Sequence, residues 1–189
     1  EKLTLSRLLL GELNVDRIEI GSARVSAGEH DAVKEITQWA KSDGLEKRVE
    51  VLGFVDGGTS IEWMIETGVK VQNLLTKGSL NHLKHQLKKT PHQHFKDIEE
   101  NIFIATREGI ETNVYLEDWS NGMRNSKDYV NDYLSFLKNL PVKRILLPDT
   151  LGVMTYFETF AYVSEIVKKY PKFHFDFHGH NDYDLSVAN

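Results

Sequence analysis

Short runs of Val, Ile, Leu and Phe alternate along the chain with longer stretches in which apolar residues recur every three or four positions. The runs Arg17–Ser22, Arg48–Val55, Val69–Thr76, Glu111–Glu117, Lys143–Asp149 and Phe173–Gly179 are bounded by Gly, Asp, Asn or Pro and predict six strands. The helical patterns between them cover Gly28–Ser42, Ile61–Thr67, Leu80 to about Glu108 with a break at Pro91, Asp128–Leu140 and Tyr156–Tyr170. Pro141 and Pro171 stand just past helix ends, where a missing N–H is tolerated. Near the start, Leu3, Leu5, Leu8, Leu9 and Leu13 share one broad helical face, and Leu185–Asn189 reads as the first turns of a further helix. The expectation is an internal segment of a longer chain.

Strands that alternate with helices predict consecutive βαβ units and a buried parallel sheet. Six units share 189 residues, about 31 each, the usual size of such a unit. Two α/β architectures compete. A doubly wound nucleotide-binding sheet would carry a Gly-rich phosphate turn after its first strand, and Gly53-Phe54-Val55-Asp56-Gly57-Gly58 lacks that spacing. A (β/α)8 TIM barrel instead collects polar residues at the C-terminal ends of successive strands. Ser22 and Arg24, Asp56, Thr76 and Lys77, Glu117 and Asp118, Asp149 and Thr150, His178 and His180 follow that rule. A barrel needs about 250 residues, so the pattern predicts a single barrel segment over 1–189 that lacks two strands.

Composition narrows the chemistry. With 23 Lys+Arg against 28 Asp+Glu the chain is acidic, which argues against a general nucleic-acid binder. No apolar run approaches the roughly 20 residues of a membrane span, no secretory signal is present, and the absence of Cys removes disulfides and thiolate chemistry. A cytoplasmic enzyme is expected. One local bias stands out: Lys77–Lys96 holds five Lys, four His and no acid. It reads as a solvated helix pair or as a landing surface for a phosphorylated cofactor tail.

Phe173-His174-Phe175-Asp176-Phe177-His178-Gly179-His180 is the most informative segment. Alternation puts the three Phe on one face, suited to packing under helices, and His174, Asp176, His178 and His180 on the other. His178 and His180 would then stand side by side at the barrel mouth, where imidazoles suit a divalent transition metal. Histidines hydrogen-bonded to neighbours such as Asp176 are the plain alternative. On the strand before Trp119, Asn113, Tyr115 and Glu117 share a face; Glu117 either serves a substrate or a second-layer imidazole, or merely pairs with Lys77 or Arg124. In Pro148-Asp149-Thr150-Leu151-Gly152, Thr150 can hydrogen-bond a small carboxylate, with a plain strand-to-helix turn as the alternative. Leu52 and Leu75 read first as core residues; beside Tyr115 they would form a wall that admits a methyl group.

His178-Gly179-His180-Asn181-Asp182 with Leu185–Asn189, Pro148–Gly152 and Asn14–Ile20 together resemble the acetyl-CoA-dependent 2-oxoacid condensing enzymes. These are the isopropylmalate, citramalate and homocitrate synthases, relatives of hydroxymethylglutaryl-CoA lyase. Asn73–Ser79 and Val114–Gly122 are similar to pyruvate-specific (R)-citramalate synthases, and Val51–Val55 departs from the His-Thr-Phe-like strand of isopropylmalate synthases. The resemblance implies barrel strands two to seven, without the first and last strands and without C-terminal accessory or regulatory domains. It implies His178 and His180 as metal ligands (Zn, Mn, Mg or Co), Thr150 on the substrate carboxylate, Leu52, Leu75 and Tyr115 around the pyruvate methyl, and Glu117 beside the reacting centre. The implied activity condenses acetyl-CoA with pyruvate to citramalate in branched-chain amino-acid biosynthesis, by a homodimer in its complete form. The competing expectations are a 2-isopropylmalate synthase acting on 2-oxoisovalerate, an acyl-CoA lyase of the same superfamily, and a catalytically dead segment.

Overall fold

The computed structural model describes residues 1–189. Strands β1 (Ile18–Ser22), β2 (Val49–Phe54), β3 (Val71–Lys77), β4 (Glu111–Glu117), β5 (Val142–Asp149) and β6 (His174–Gly179) form one sheet in that order. β1 pairs β2 in parallel, with Ile18 opposite Val49, and β5 pairs β6 in parallel, with Pro148 opposite His178. The helices are α1 (Lys2–Arg7), α2 (Ala27–Ser42), α3 (Thr59–Thr67), α4 (Leu80–His82), α5 (Pro91–Arg107), α6 (Trp119–Asn125), α7 (Lys127–Leu137) and α8 (Tyr156–Lys169). A strand order that follows the chain has no reversal point, which excludes the doubly wound sheet and gives six consecutive units of the (β/α)8 barrel class.

All six predicted strands form, within two residues at each end. Pro91 opens α5 instead of merely interrupting a helix: Thr90 Oγ1 accepts from the Gln93 N–H while Gln93 Oε1 accepts from the Thr90 N–H, a reciprocal cap with Pro in the first turn. The short helix α6 was not predicted. The residues pack as two compact units, Glu1–Leu74 with Glu100–Thr112, and Leu75–Glu99 with Asn113–Asn189.

In the first unit, Ser26 caps α2 by accepting from the Glu29 N–H. Val33, Ile36 and Ala40 then face one core with Val49, Val51, Ile61 and Met64. Alternation along β2 sends Glu50 and Leu52 to the opposite face. There the Asn73 amide donates to Glu19 at 2.6 Å and to Glu50 at 3.1 Å, and Arg17 pairs with Glu50. Burial holds the Glu19 carboxyl above its usual range, opposed by the Asn73 hydrogen bond and helped by the charge of Glu50.

In the second unit Val114, Leu116, Trp119, Tyr133, Leu134, Leu137, Ile145 and Ile166 are buried, and Phe95 stacks on Tyr129, Tyr133 and Phe136. A Cβ on Gly122 of α6 would collide with the Gly78 carbonyl, so only glycine lets this helix sit on the chain leaving β3.

His94 of α5 is 1% exposed and accepts from the Lys77 N–H at 3.1 Å. Burial, aided by the charge of Lys89, pushes its pKa from 6.5 down to about 4. The folded state therefore keeps this ring neutral while the unfolded chain protonates it. Its contribution is full above about pH 6.5 and is lost as pH falls toward about 4, roughly 3 kcal/mol across the window. Urea unfolding at pH 7.5 and pH 5 should show about 2 kcal/mol of that loss in the wild type and much less in His94→Gln. Equal losses in both would contradict the assignment.

Candidate functional site

The polar side chains of the second unit gather at the C-terminal ends of β3 to β6. His178 stands on β6 and His180 just past its end, side by side as expected, with ring centres 5.0 Å apart. Tyr115 of β4 stands edge-on to His178 at 5.6 Å between ring centres, its hydroxyl 3.5 Å from Nδ1. Both imidazoles are exposed. Although much of its surface meets solvent, the side of the His178 ring that packs against Tyr115 is desolvated; that partial burial, and then the neighbouring charge of His180, lowers its pKa and favours the neutral ring. The tie to Asp176 expected as the plain alternative falls on His174, whose Nε2 meets Asp176, a carboxylate that also pairs with Arg144; His178 has the Tyr115 hydroxyl as its neighbour instead. The Phe side of β6 is half-buried, and Phe177 lines a cavity of about 360 Å³ with Tyr156, Thr159 and Phe160 of α8.

Two imidazoles that share one cation at about 2.1 Å have ring centres about 5 Å apart at a near-tetrahedral angle. The observed pair fits that spacing. No group of three or more His, Asp or Glu that could hold a metal ion forms in this chain.

Glu117, at the end of β4, pairs with Lys77 at the end of β3. Of the two alternative partners expected, Lys77 is the one found. Arg124 is engaged elsewhere, clamping Glu158, whose carboxyl that guanidinium draws down to about 2. Because Lys77 and Glu117 meet on one face, Leu75 and Tyr115, two residues earlier on each strand, project to that same face. Leu75 is half-buried and Tyr115 is 9% exposed. Leu52 lies half-buried on β2 in the first unit.

Thr150 follows β5. Its Oγ accepts from the Asp118 N–H at 2.8 Å, which leaves the hydroxyl hydrogen to donate. Gly152 has φ +61°, and a Cβ there would come within 2.9 Å of the His180 carbonyl oxygen. The backbone that approaches Gly152 closely is thus the loop bearing the second imidazole. The His180 N–H donates to the Asp149 carbonyl at 3.3 Å, and Asp149 Oδ2 accepts from the Met154 N–H at 2.8 Å. These bonds fix the turn that presents Thr150 and His180.

Sequence reasoning placed Asp118 at a strand end without giving it a partner, and left His82 within the charge run. Asp118 is fully buried with φ +63°, a left-handed conformation Asp tolerates better than most residues. Its Oδ2 accepts from Ser79 at 2.6 Å and lies 3.5 Å from His82 Nε2, while Oδ1 accepts from Asn121 at 2.8 Å. The Lys77–Lys96 run is divided accordingly. Lys77, His82 and His94 turn inward, Lys89 pairs with Asp97, and Lys84, His85, Lys88, His92 and Lys96 remain exposed.

The HMGL-like family pattern matches residues 1–189 from end to end. The chain belongs to the HMGL-like family. It is 31% identical to a 2-isopropylmalate synthase of Sulfurisphaera tokodaii, over all of this chain and 47% of that enzyme. It is 28% identical to a homocitrate synthase of Saccharolobus islandicus, over 95% of this chain and 38% of that enzyme. Among solved structures it superposes on hydroxymethylglutaryl-CoA lyase from Pseudomonas aeruginosa with a TM-score of 0.79 at 18% identity, covering 100% of this chain and 64% of that one. This HMGL-like chain spans about half the length, or less, of the curated relatives it matches. Its curated relatives are condensing enzymes by name, in agreement with the resemblance carried by the His178–Asp182 and Pro148–Gly152 motifs. No helix is long and apolar enough to cross a membrane.

Proposed function

We propose that the complete protein is an acyltransferase that condenses acetyl-CoA with pyruvate, releases CoA by thioester hydrolysis and forms citramalate. The observation that carries this reading is the grouping of Tyr115, His178 and His180, with Glu117 and Thr150 at neighbouring strand ends. His178 and His180 would hold a divalent cation, which when bound polarises a keto oxygen and stabilises the alkoxide that forms there.

The protein's own groups do the rest. The Thr150 hydroxyl, its oxygen already engaged by the Asp118 N–H, donates to the oxoacid carboxylate. Glu117, paired with Lys77, stands beside the reacting carbon and organises the approach of the acetyl-CoA methyl group. Leu75 and Tyr115, and by the sequence resemblance Leu52, wall the methyl of pyruvate. Support for the ligand class comes from a lyase of the same fold (TM-score 0.71, 19% identity, covering 99% of this chain and 63% of that one) solved with coenzyme A and 3-methylmalate. 3-Methylmalate is a positional isomer of citramalate.

The second reading is 2-oxoisovalerate as substrate, favoured by the names of the 31% identical relatives. The two separate on relative kcat/KM across pyruvate, 2-oxobutyrate and 2-oxoisovalerate. A methylene in an apolar pocket is worth about 1–3 kcal/mol, or 10- to 200-fold. Pyruvate should lead in the wild type, and Leu52→Ala or Leu75→Ala should shift the ratio toward the larger acids by about tenfold or more. A wild type that prefers 2-oxoisovalerate establishes the second reading, and ratios unmoved by either substitution remove both leucines from the pocket.

A further inference from the structure

Behind Glu117 lies a group for which the condensation scheme above has no use. His82 of α4 is largely buried: its side chain is 14% exposed, and its Nδ1 is buried without a hydrogen-bond partner. A buried polar atom left unpaired is costly and calls for an explanation. The other ring nitrogen is directed by a built arrangement. Nε2 lies 3.5 Å from Asp118 Oδ2, and that fully buried carboxylate is itself fixed by the Ser79 hydroxyl and the Asn121 amide. Ser79 also accepts from the His82 N–H at 3.1 Å, so backbone and ring are held by the same two residues. An Nε2–H facing Asp118 leaves Nδ1 as a bare lone pair. That lone pair faces Glu117 Oε1 at 3.9 Å, while Glu117 Oε2 is occupied by Lys77.

We propose that His82, oriented by Asp118, is a positioning residue that takes a proton from Glu117. The inference rests on the condensation reading and deepens it. In the step it serves, the Glu117 carboxylate accepts a proton from the acetyl-CoA methyl as the enolate forms. The proton passes from Oε1 to His82 Nδ1, giving an imidazolium opposite the Asp118 carboxylate and restoring Glu117 as a carboxylate. The proton then returns along the same path to the alkoxide formed at the former keto carbon, giving the tertiary hydroxyl; when water cleaves the thioester, one of its protons goes to the departing CoA thiolate and the other to solvent. The 3.9 Å gap closes on substrate binding; separations of this kind are commonly long in unliganded sites and tighten in the complex. Lys77 on the far oxygen keeps the carboxylate from turning away from the ring.

The test compares His82→Gln and Glu117→Gln, singly and together, in the complete protein with acetyl-CoA and pyruvate, following free thiol. Glutamine places an amide nitrogen where Nε2 stood and keeps the bond to Asp118, but it cannot accept a proton. His82→Gln should lower kcat about a hundredfold with KM for pyruvate within twofold and an unchanged unfolding midpoint, and should add little in the Glu117→Gln background. A purely structural His82 would be rescued by glutamine. If kcat of His82→Gln stays within about threefold of wild type, or if the two effects multiply, the inference is overturned while the condensation reading stands. If the wild type releases no thiol with any 2-oxoacid, both fall.

Discussion

Replacing His180 by Ala in the complete protein should abolish detectable condensation, a loss of about a thousandfold or more, with the fold intact. The ring is exposed and buries no core surface, so its removal leaves the packing of β6 on β5 unchanged. What it removes is one of two imidazoles whose spacing suits a shared cation. Loss of a single preorganised donor to a developing oxyanion costs about 10²–10³ in rate, and loss of a cation that plays that part costs at least as much. His178→Ala should do the same and also leave Tyr115 without its edge contact. The readout besides rate is calorimetric titration of Mn or Zn into chelator-treated protein, where each single variant should bind at least tenfold more weakly. Undiminished cation affinity in both variants would show that the metal sits elsewhere.

Glu117→Gln is expected to lower kcat by about 10²–10⁴, with KM for pyruvate nearly unchanged because Thr150 and the apolar wall still bind the substrate. The substitution is isosteric but removes the charge facing Lys77, whose side chain is only 12% exposed. Leaving an ammonium group without its partner in such a place costs stability. Lys77→Met combined with Glu117→Gln should therefore regain the unfolding midpoint that Glu117→Gln alone loses, without regaining rate. Parallel recovery of rate and stability would reduce Glu117 to a structural partner of Lys77.

The strands and most helices were legible in the sequence because each carries its own period and is bounded by Gly, Asn, Asp or Pro. So was the β6 motif, since alternation along a strand fixes which residues share a face before any partner is known. Helix α6 was not legible. Trp119-Ser120-Asn121-Gly122-Met123-Arg124-Asn125 is poor in helix formers, and the helix exists because Asp118 turns left-handed and Gly122 permits a close backbone approach. The inward turn of His94 had a signal that the charge run concealed: it shares a stripe at helical spacing with Ile98, Ile102 and Ala105, all buried. His82 had a weaker one, the Ser79 cap three residues earlier. Counting charges along Lys77–Lys96 joined residues that the helices send in opposite directions. The Asp118–His82–Glu117–Lys77 chain links residues some 40 positions apart, a proximity that no local pattern encodes.

The most direct test of the account is the appearance of free thiol from acetyl-CoA when the complete protein meets a 2-oxoacid. Thiol release that requires pyruvate, yields citramalate in equal amount, stops on chelation and resumes with a divalent cation is the predicted result. Thiol release without an oxoacid, or carbon–carbon cleavage of a hydroxyacyl-CoA in its place, would contradict it.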